Sequence, residues 1–375
     1  MNETSPQNSS EAQSSSDLSI GGLPLGSRAL SAPIAGFTDR IFRGIVRDFG
    51  GCGLIFTEMV SAGGWIQGKF PPHRLDGVKG EPKPLGVQLW DRDPEMVREA
   101  ASRLIDYDVS LIDLNFGCPK KRIMGKQGAG ATLLRDPKTV GEMVRATKEG
   151  AGKIPVTAKI RLGPTRDQRT AAEVAKSAEA NGAAAVTVHG RTAQDNYGIP
   201  VDHQGIAEVV EAVDIPVIAN GDIEDADTAL QTLERTGAAA VMVARSALHK
   251  PWIFREIEAA LKGEPIPDPP TLAEQMQLLL RHHQAMVEAH GDHWGTVTMR
   301  KFACRYLLGI PGARPFRDDI SRAEGAENFR EIVARHFPKE AGDVELFATS
   351  IPVEVSTTEQ PVTEATEWEE PACDA

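Results

Sequence analysis

The sequence predicts a (β/α)₈ TIM barrel followed by a small all-α helical bundle. Three observations carry this. Eight short apolar, often β-branched runs recur along the chain: Arg28–Ala32, Leu54–Thr57, Leu85–Gln88, Leu111–Asn115, Val156–Ile160, Ala185–His189, Val217–Asn220 and Ala240–Ala244. Most intervals hold a helical stretch rich in Ala, Glu, Lys and Arg, such as Pro94–Ile105, Pro137–Glu149, Arg169–Asn181 and Asp225–Thr236. The pattern then changes to helices alone. Runs of the first kind suit parallel strands covered on both faces. Eight βα units between Leu23 and Lys262 match the ~250 residues of such barrels. An open doubly wound sheet is the alternative, but no GxGxxG follows the first strand, which argues against a dinucleotide-binding unit.

Each element has local support. The helices Arg169–Asn181 and Asp225–Thr236 run into Gly182 and Gly237, the glycine stops that close a helix before the next strand. The barrel is assigned to residues 21–264, and the Pro-rich segment Pro265-Ile-Pro-Asp-Pro-Pro270 reads as a linker. Residues 271–339 read as three helices separate from the barrel. The first opens at a Thr271/Glu274 capping box and stops near Gly291. The second places Met299, Phe302, Ala303, Tyr306 and Leu307 on one apolar stripe, with Arg300, Lys301 and Arg305 on its other faces. The third is expected to open at a Ser321/Glu324 capping box and to bury Phe329, Ile332 and Val333.

Composition narrows the class. Hydrophobic residues at 41% and charged residues at 25% are ordinary for a soluble globular protein. No apolar run approaches the roughly 18 residues of a membrane span, and the N-terminus lacks the basic and apolar regions of a signal peptide, so the expected compartment is cytoplasmic and no membrane partner is expected. Cys52, Cys118, Cys304 and Cys373 form no CxxC pair, which disfavours a disulfide framework or a zinc ribbon. The histidines His282, His283, His290 and His293 lack HExxH spacing, and no metal is expected. The net charge of −12 is confined to the tails. Residues 1–20 and 341–375 hold twelve acids and no Lys or Arg, leaving 41 acids against 41 basic residues in the body. Residues 1–20 and 340–375 read as disordered. A near-neutral body can still present a basic face to a polyanion.

Functional signals sit at the strand ends. In a barrel, polar residues at the C-terminal ends of the strands face the site, and seven of the eight predicted strands supply one. They are Glu58 just beyond strand two, Gln88, Asn115 followed by Gly117-Cys118-Pro119, Lys159 with Arg161, His189 with Arg191, Asn220-Gly221-Asp222, and Arg245. Asn220-Gly221-Asp222 and Ala244-Arg245 occupy the usual barrel phosphate position. Lys159 is a cation suited to the anionic reduced form of a flavin, and Gln88 offers the donor and acceptor that match a flavin imide edge. Together these describe FMN. Cys118, in a loop, is suited to general acid catalysis, because a free thiol keeps its proton at neutral pH. A structural ion pair of Lys159 with Glu58 is the plain alternative for that lysine.

The stretches Ala32-Pro-Ile-Ala-Gly-Phe-Thr-Asp-Arg40, Asn115-Phe-Gly-Cys-Pro119, Thr157-Ala-Lys-Ile-Arg161, His189-Gly-Arg-Thr192, Ala219-Asn-Gly-Asp-Ile223 and Pro251-Trp-Ile-Phe254 resemble the tRNA-dihydrouridine synthases in their bacterial B-type branch. The resemblance spans roughly residues 23–338. It implies that NADPH reduces FMN, that hydride passes to C6 of a tRNA uridine, and that Cys118 protonates C5. It further implies that Pro33, Ile34, Ala35, Gln88, Lys159, His189, Asn220, Gly221, Asp222, Ala244 and Arg245 hold FMN, and that Asn115 holds the target base. Arg40, Arg43, Lys121 and Arg122 at the barrel mouth, with Arg300 and Lys301 in the helical domain, are then expected on tRNA phosphates, and a monomer is expected. Three departures from the family pattern stand out. The loop from Cys118 to Gly130 carries Lys121-Arg122-Ile123 and one additional residue, strand eight ends Ala244-Arg245-Ser246 in place of Gly-Arg-Gly, and His203 replaces an aromatic residue. The competing readings are an FMN barrel reductase of a small enone or pyrimidine and a non-catalytic RNA-binding protein.

Overall fold

The computed structural model describes residues 18–338, except 70–74, 76 and 311. The two acidic tails, apart from Leu18–Ile20, and Cys373 lie outside the described residues. Eight parallel strands form the barrel: β1 (Ala29–Ser31), β2 (Ile55–Ser61), β3 (Leu85–Trp90), β4 (Leu111–Asn115), β5 (Val156–Arg161), β6 (Ala185–His189), β7 (Val217–Asn220) and β8 (Ala240–Val243). They are ordered β1-β8-β7-β6-β5-β4-β3-β2. The remaining seam, β1 to β2, is joined by a parallel bridge between Leu30 and Leu54 and by the bonds Ser31 N–H to Leu54 O (2.9 Å) and Gly53 N–H to Ala29 O (2.8 Å). The helices that follow the strands are α1 (Arg40–Phe49), α2 (Ala62–Ile66), α3 (Pro94–Leu104), α4 (Pro137–Ala151), α5 (Ala171–Ala180), α6 (His203–Ala212), α7 (Ala226–Thr236) and α8 (Ile253–Lys262).

Two apolar layers result from the period of two along each strand. Ile112, Leu114, Val156, Ala158, Ile160, Val186 and Val188 pack outward with the helices in one core. Leu30, Phe56, Leu111, Ala185, Ile218 and Met242 fill the barrel's interior in a second. Ile20 and Leu25 belong to this interior core and are each 1% exposed. Ile20 belongs to a short hairpin, Ser19–Ile20 paired antiparallel with Leu23–Pro24, and Leu25 follows it. From sequence alone Ile20 falls in the tail, because polar neighbours mask it. Burying such a side chain is worth about 1.5–3 kcal/mol, which ties the start of the barrel to its floor.

The helical region has four helices, α9 (Leu272–His290), α10 (Asp292–Tyr306), α11 (Arg314–Ile320) and α12 (Ala326–His336). The Thr271/Glu274 capping box forms as expected. The Ser321/Glu324 box does not: Pro315 sits in the first turn of α11, where its missing N–H costs nothing, and Ser321 ends that helix instead. At the start of α12, whose N-cap Gly325 has no side chain, Asp292 Oδ1 accepts from Ala326 N–H at 2.6 Å. Asp292→Ala should therefore cost about 1 kcal/mol in urea unfolding, the usual worth of a helix cap.

The bundle is not separate from the barrel. Phe302 of α10 packs edge-on against Phe37 (5.2 Å between centroids) and stacks on Phe42 of α1 (5.7 Å). A single core runs through α1, α9 and α10. Sequence periodicity identified the buried stripe of α10, whose members are at most 3% exposed, but not its partner. His282 and His283 belong to this core: their rings meet Tyr306 Oη and Thr296 Oγ1, each at 2.9 Å, and His283 stacks on Phe329. Burial pulls them down to about 3 and about 4, so both are neutral rings at physiological pH. Among the described residues no three His, Cys, Asp or Glu side chains are grouped as metal ligands.

Candidate active site

The strand ends converge on one mouth, and the register sets which side chains meet. Asn115 on β4 lies opposite Lys159 on β5, and His189 on β6 lies opposite Asn220 on β7. Lys159 Nζ donates to Asn220 Oδ1 at 2.6 Å, while Asn220 Nδ2 donates to Met242 O at 2.8 Å. Burial pulls the lysine down to about 8, partly offset by the nearby Asp113 carboxylate. Lys159 is thus a cation at neutral pH that most solvent does not reach, which strengthens its pull on any nearby anion.

Beyond β6 and β7 a compact cationic group forms. Arg191, fully buried, donates to the Ile199 (2.6 Å) and Tyr197 (3.1 Å) carbonyls and to Asp222 Oδ2 (2.5 Å). Arg245 reaches Asp222 Oδ1 at 3.2 Å and lies 4.2 Å from the Tyr197 ring centroid. The His189 ring stacks on Tyr197, and burial beside Lys159, Arg161, Arg191 and Arg245 holds it well below the ordinary histidine value, hence neutral. Two guanidinium groups against one carboxylate leave net positive charge. Gly221 (φ +119°) and Asp222 (φ +49°) turn the chain here. A Cβ on Gly221 would stand 2.7 Å from Val201 and 2.9 Å from His189, so both backbone shape and space require glycine.

On the opposite wall the chemistry rests on a chain of hydrogen bonds. Asn115 Oδ1 accepts from the N–H groups of Gly117 (3.0 Å) and Cys118 (2.9 Å), fixing the loop that carries the thiol. Asn115 Nδ2 donates to Gln88 Oε1 (2.9 Å), and Gln88 Nε2 donates to Asp113 Oδ2 (2.7 Å). Phe116 N–H returns to Lys159 O at 2.8 Å, tying the loop to β5. Burial raises the Cys118 thiol above its ordinary value, so it stays protonated at neutral pH.

Pro33, Ile34 and Ala35 lie in the turn after β1, where Ile34 O accepts from Phe37 and Thr38 N–H at 3.0 Å and Gly36 N–H donates to Glu58 Oε2 at 2.8 Å. The Lys301 ammonium lies over the rings of Phe37 (5.1 Å) and Phe302 (5.5 Å), bringing the helical domain directly onto this turn.

Comparison with known proteins agrees with this arrangement. A family model described as Dihydrouridine synthase (Dus) matches residues 30–342. The chain belongs to the dihydrouridine synthase family. It is 40% identical to a protein of Pseudomonas aeruginosa named tRNA-dihydrouridine synthase B, over 82% of this chain and 92% of that one. It is 35% identical to a probable tRNA-dihydrouridine synthase of Rickettsia prowazekii, over 85% of this chain and 97% of that one. Among solved structures, a variant of NCR from Zymomonas mobilis superposes with a TM-score of 0.50 at 14% identity, covering 68% of this chain and 93% of that one, a likeness of fold alone.

The departures expected from the family's pattern have local accounts. The loop after Cys118, expected to carry one additional residue, winds as a π-helix over Arg122–Lys126, a rare form that occurs mostly as a single turn, often at functional sites. Ala244 has φ −115°, outside the left-handed region that favours glycine. His203 faces Thr232 of α7 (3.4 Å), while Tyr197 supplies the aromatic ring beside His189.

Not every predicted contact lies free at the mouth. Arg43 is buried, ion-paired with Glu81 and bonded to Thr38 O (2.7 Å), so it is part of the wall and not a phosphate ligand. Arg300 Nε donates to Ala323 O (2.8 Å), bracing the helical domain. Arg40 lies against Gly77, and Lys121 and Arg122 are exposed beside the Cys118 loop. All four hydrogen-bonding directions of Asn115 are used, the last by a long 3.5 Å contact to Met59 Sδ. Arg161 and Arg191 are legible at the strand ends but have no role assignable from sequence, and Asp113 is not legible as a site residue. The available signal was a carboxylate inside an otherwise apolar strand.

Proposed function

We propose that this protein is a tRNA-dihydrouridine synthase that reduces the C5–C6 bond of a uridine, in the D-loop of tRNA, with FMN as cofactor and NADPH as reductant. The observation that carries this reading is the Cys118 thiol, kept protonated by burial on a loop tied to Lys159. Support for FMN comes from the donor set. Gly221, Asp222, Ala244 and Arg245 would take the phosphate, aided by the buried Arg191 and a neutral His189. Lys159 would face the ring system's anionic edge, and Pro33, Ile34 and Ala35 would supply backbone contacts. Gln88 keeps one hydrogen and one lone pair beyond its two protein bonds. When bound and reduced, FMN supplies the hydride for C6.

The chain's own groups do the rest. As C6 gains hydride, C5 becomes basic, and Cys118 Sγ–H delivers its proton there, leaving a thiolate that solvent reprotonates. Asn115, whose hydrogen-bonding directions are taken up within the protein, would act on the base indirectly, by fixing the loop that holds the thiol against it. Arg40, Lys121, Arg122, Lys301 and the terminal nitrogens of Arg300, whose Nε is taken up by Ala323 O, would contact tRNA phosphates and help offset the few kcal/mol needed to turn a uridine out of its stack. The test is dihydrouridine formation by purified protein on unmodified tRNA with NADPH. Yellow protein that makes dihydrouridine is expected. Yellow, NADPH-reducible protein that leaves tRNA unchanged overturns the reading in favour of a small-molecule reductase.

A further inference from the structure

Asp113 is 1% exposed and stands at the middle of β4, in register with Gln88 on β3 and Thr157 on β5. Its Oδ1 accepts from Thr157 Oγ1 and its Oδ2 from Gln88 Nε2, both at 2.7 Å. A buried carboxylate is an expensive choice for a barrel wall, and burial pushes this one up to about 6. What a carboxylate offers that an amide does not is acceptance at both oxygens. Gln88 must therefore turn its NH₂ towards Asp113 and its Oε1 towards Asn115. Asn115 must answer with Nδ2, which leaves Oδ1 facing the N–H groups of Gly117 and Cys118. Reversing any one amide would set donor against donor somewhere along the chain. Lys159, the charged group on the adjacent strand, is hydrogen-bonded to Asn220.

We propose that Asp113 is a positioning residue for the Cys118 loop, acting through the oriented amides of Gln88 and Asn115. The proposal rests on the reading of Cys118 as proton donor, and it extends the working site one layer deeper into the barrel.

Its test uses the flavin-loaded full-length protein and two readouts, the peptide-resolved alkylation rate of Cys118 and turnover on unmodified tRNA. Asp113→Ala and Asn115→Ala should each speed alkylation several-fold and slow turnover by about tenfold or more, and the double variant should be no worse than the poorer single one, because the residues act in one chain. Asp113→Asn should stay within about threefold of wild type, since its Oδ1 can face Gln88 while its NH₂ donates to the Thr157 hydroxyl. An alkylation rate unchanged by Asp113→Ala, or losses that multiply in the double variant, overturn the proposal. So does an Asp113→Asn protein as impaired as Asp113→Ala, since charge beside Lys159 would then matter and not amide orientation. If Asp113→Ala does not fold, Gln88→Met breaks the same chain at its next link and must loosen Cys118 equally. Alkylation needs no tRNA, so wild-type protein inert on tRNA but showing this coupling would sink the functional reading alone.

Discussion

Cys118→Ala should lower dihydrouridine formation by about 10²–10⁴-fold while flavin binding and its reduction by NADPH stay near wild type, the range expected when a general acid is removed. The separation of the two half-reactions follows from the geometry. Cys118 is held by Asn115 through its backbone N–H, not its side chain, so removing Sγ leaves the loop's anchor intact. Gly221, Asp222 and Arg245, proposed to take the phosphate, follow the ends of strands β7 and β8, away from β4. Cys118→Ser would be a weaker repair, since a hydroxyl is far less acidic than a thiol. Stopped-flow reduction by NADPH, followed by single-turnover oxidation with tRNA, checks both halves. Equal losses in the two would mean that Cys118 supports the cofactor site and does not donate the proton. Because burial raises the thiol, its proton is available through neutral pH, and the tRNA step should lose rate only under alkaline conditions, where the thiolate forms.

Much of this was legible in the sequence, and the parts that were not share a physical reason. The eight strands were readable because a strand covered by helices on one side and barrel interior on the other is a short apolar run whichever face is inspected. The grouping of Lys159, His189 and Asn220 was readable because barrel geometry places strand-end polar groups at one mouth. What escaped depends on contacts between segments distant in sequence. The cap of α12 comes from Asp292 across the bundle, which no local box predicts. The union of barrel and bundle turns on Phe302 meeting Phe37 and Phe42, rings far apart in the chain. Arg43 looked like a surface cation because nothing near it in sequence announces Glu81. Asp113 was hidden by its apolar neighbours. Its role appears only when β3, β4 and β5 are laid side by side.

Lys159→Met should weaken flavin binding by roughly 30- to 1,000-fold, about 2–4 kcal/mol, the lower part of the range for truncating one member of a charged hydrogen-bonding pair largely withdrawn from solvent. The apo fold should change far less, because two costs oppose each other. Removing the ammonium relieves the desolvation that dominates its depressed value, but it leaves Asn220 Oδ1 without its 2.6 Å donor and Asp113 without a nearby cation. The pH dependence has a definite sign. Lys159 titrates at about 8 in the fold, against 10.5 when unperturbed. The ammonium predominates below about 8, so wild-type flavin affinity should fall as pH rises through that value, and Lys159→Met should remove this fall. Between about 8 and 10.5 the unfolded chain holds a proton that the folded chain has released, so this residue makes apo stability rise with pH across the window. Fluorescence titration of apo protein with FMN from pH 6.5 to 9.5 measures the first effect, and urea unfolding at the same pH values measures the second. Flavin affinity independent of pH in wild type, or a methionine variant that binds flavin normally, would remove Lys159 from the cofactor's side of the site and leave it as structural support for Asn220.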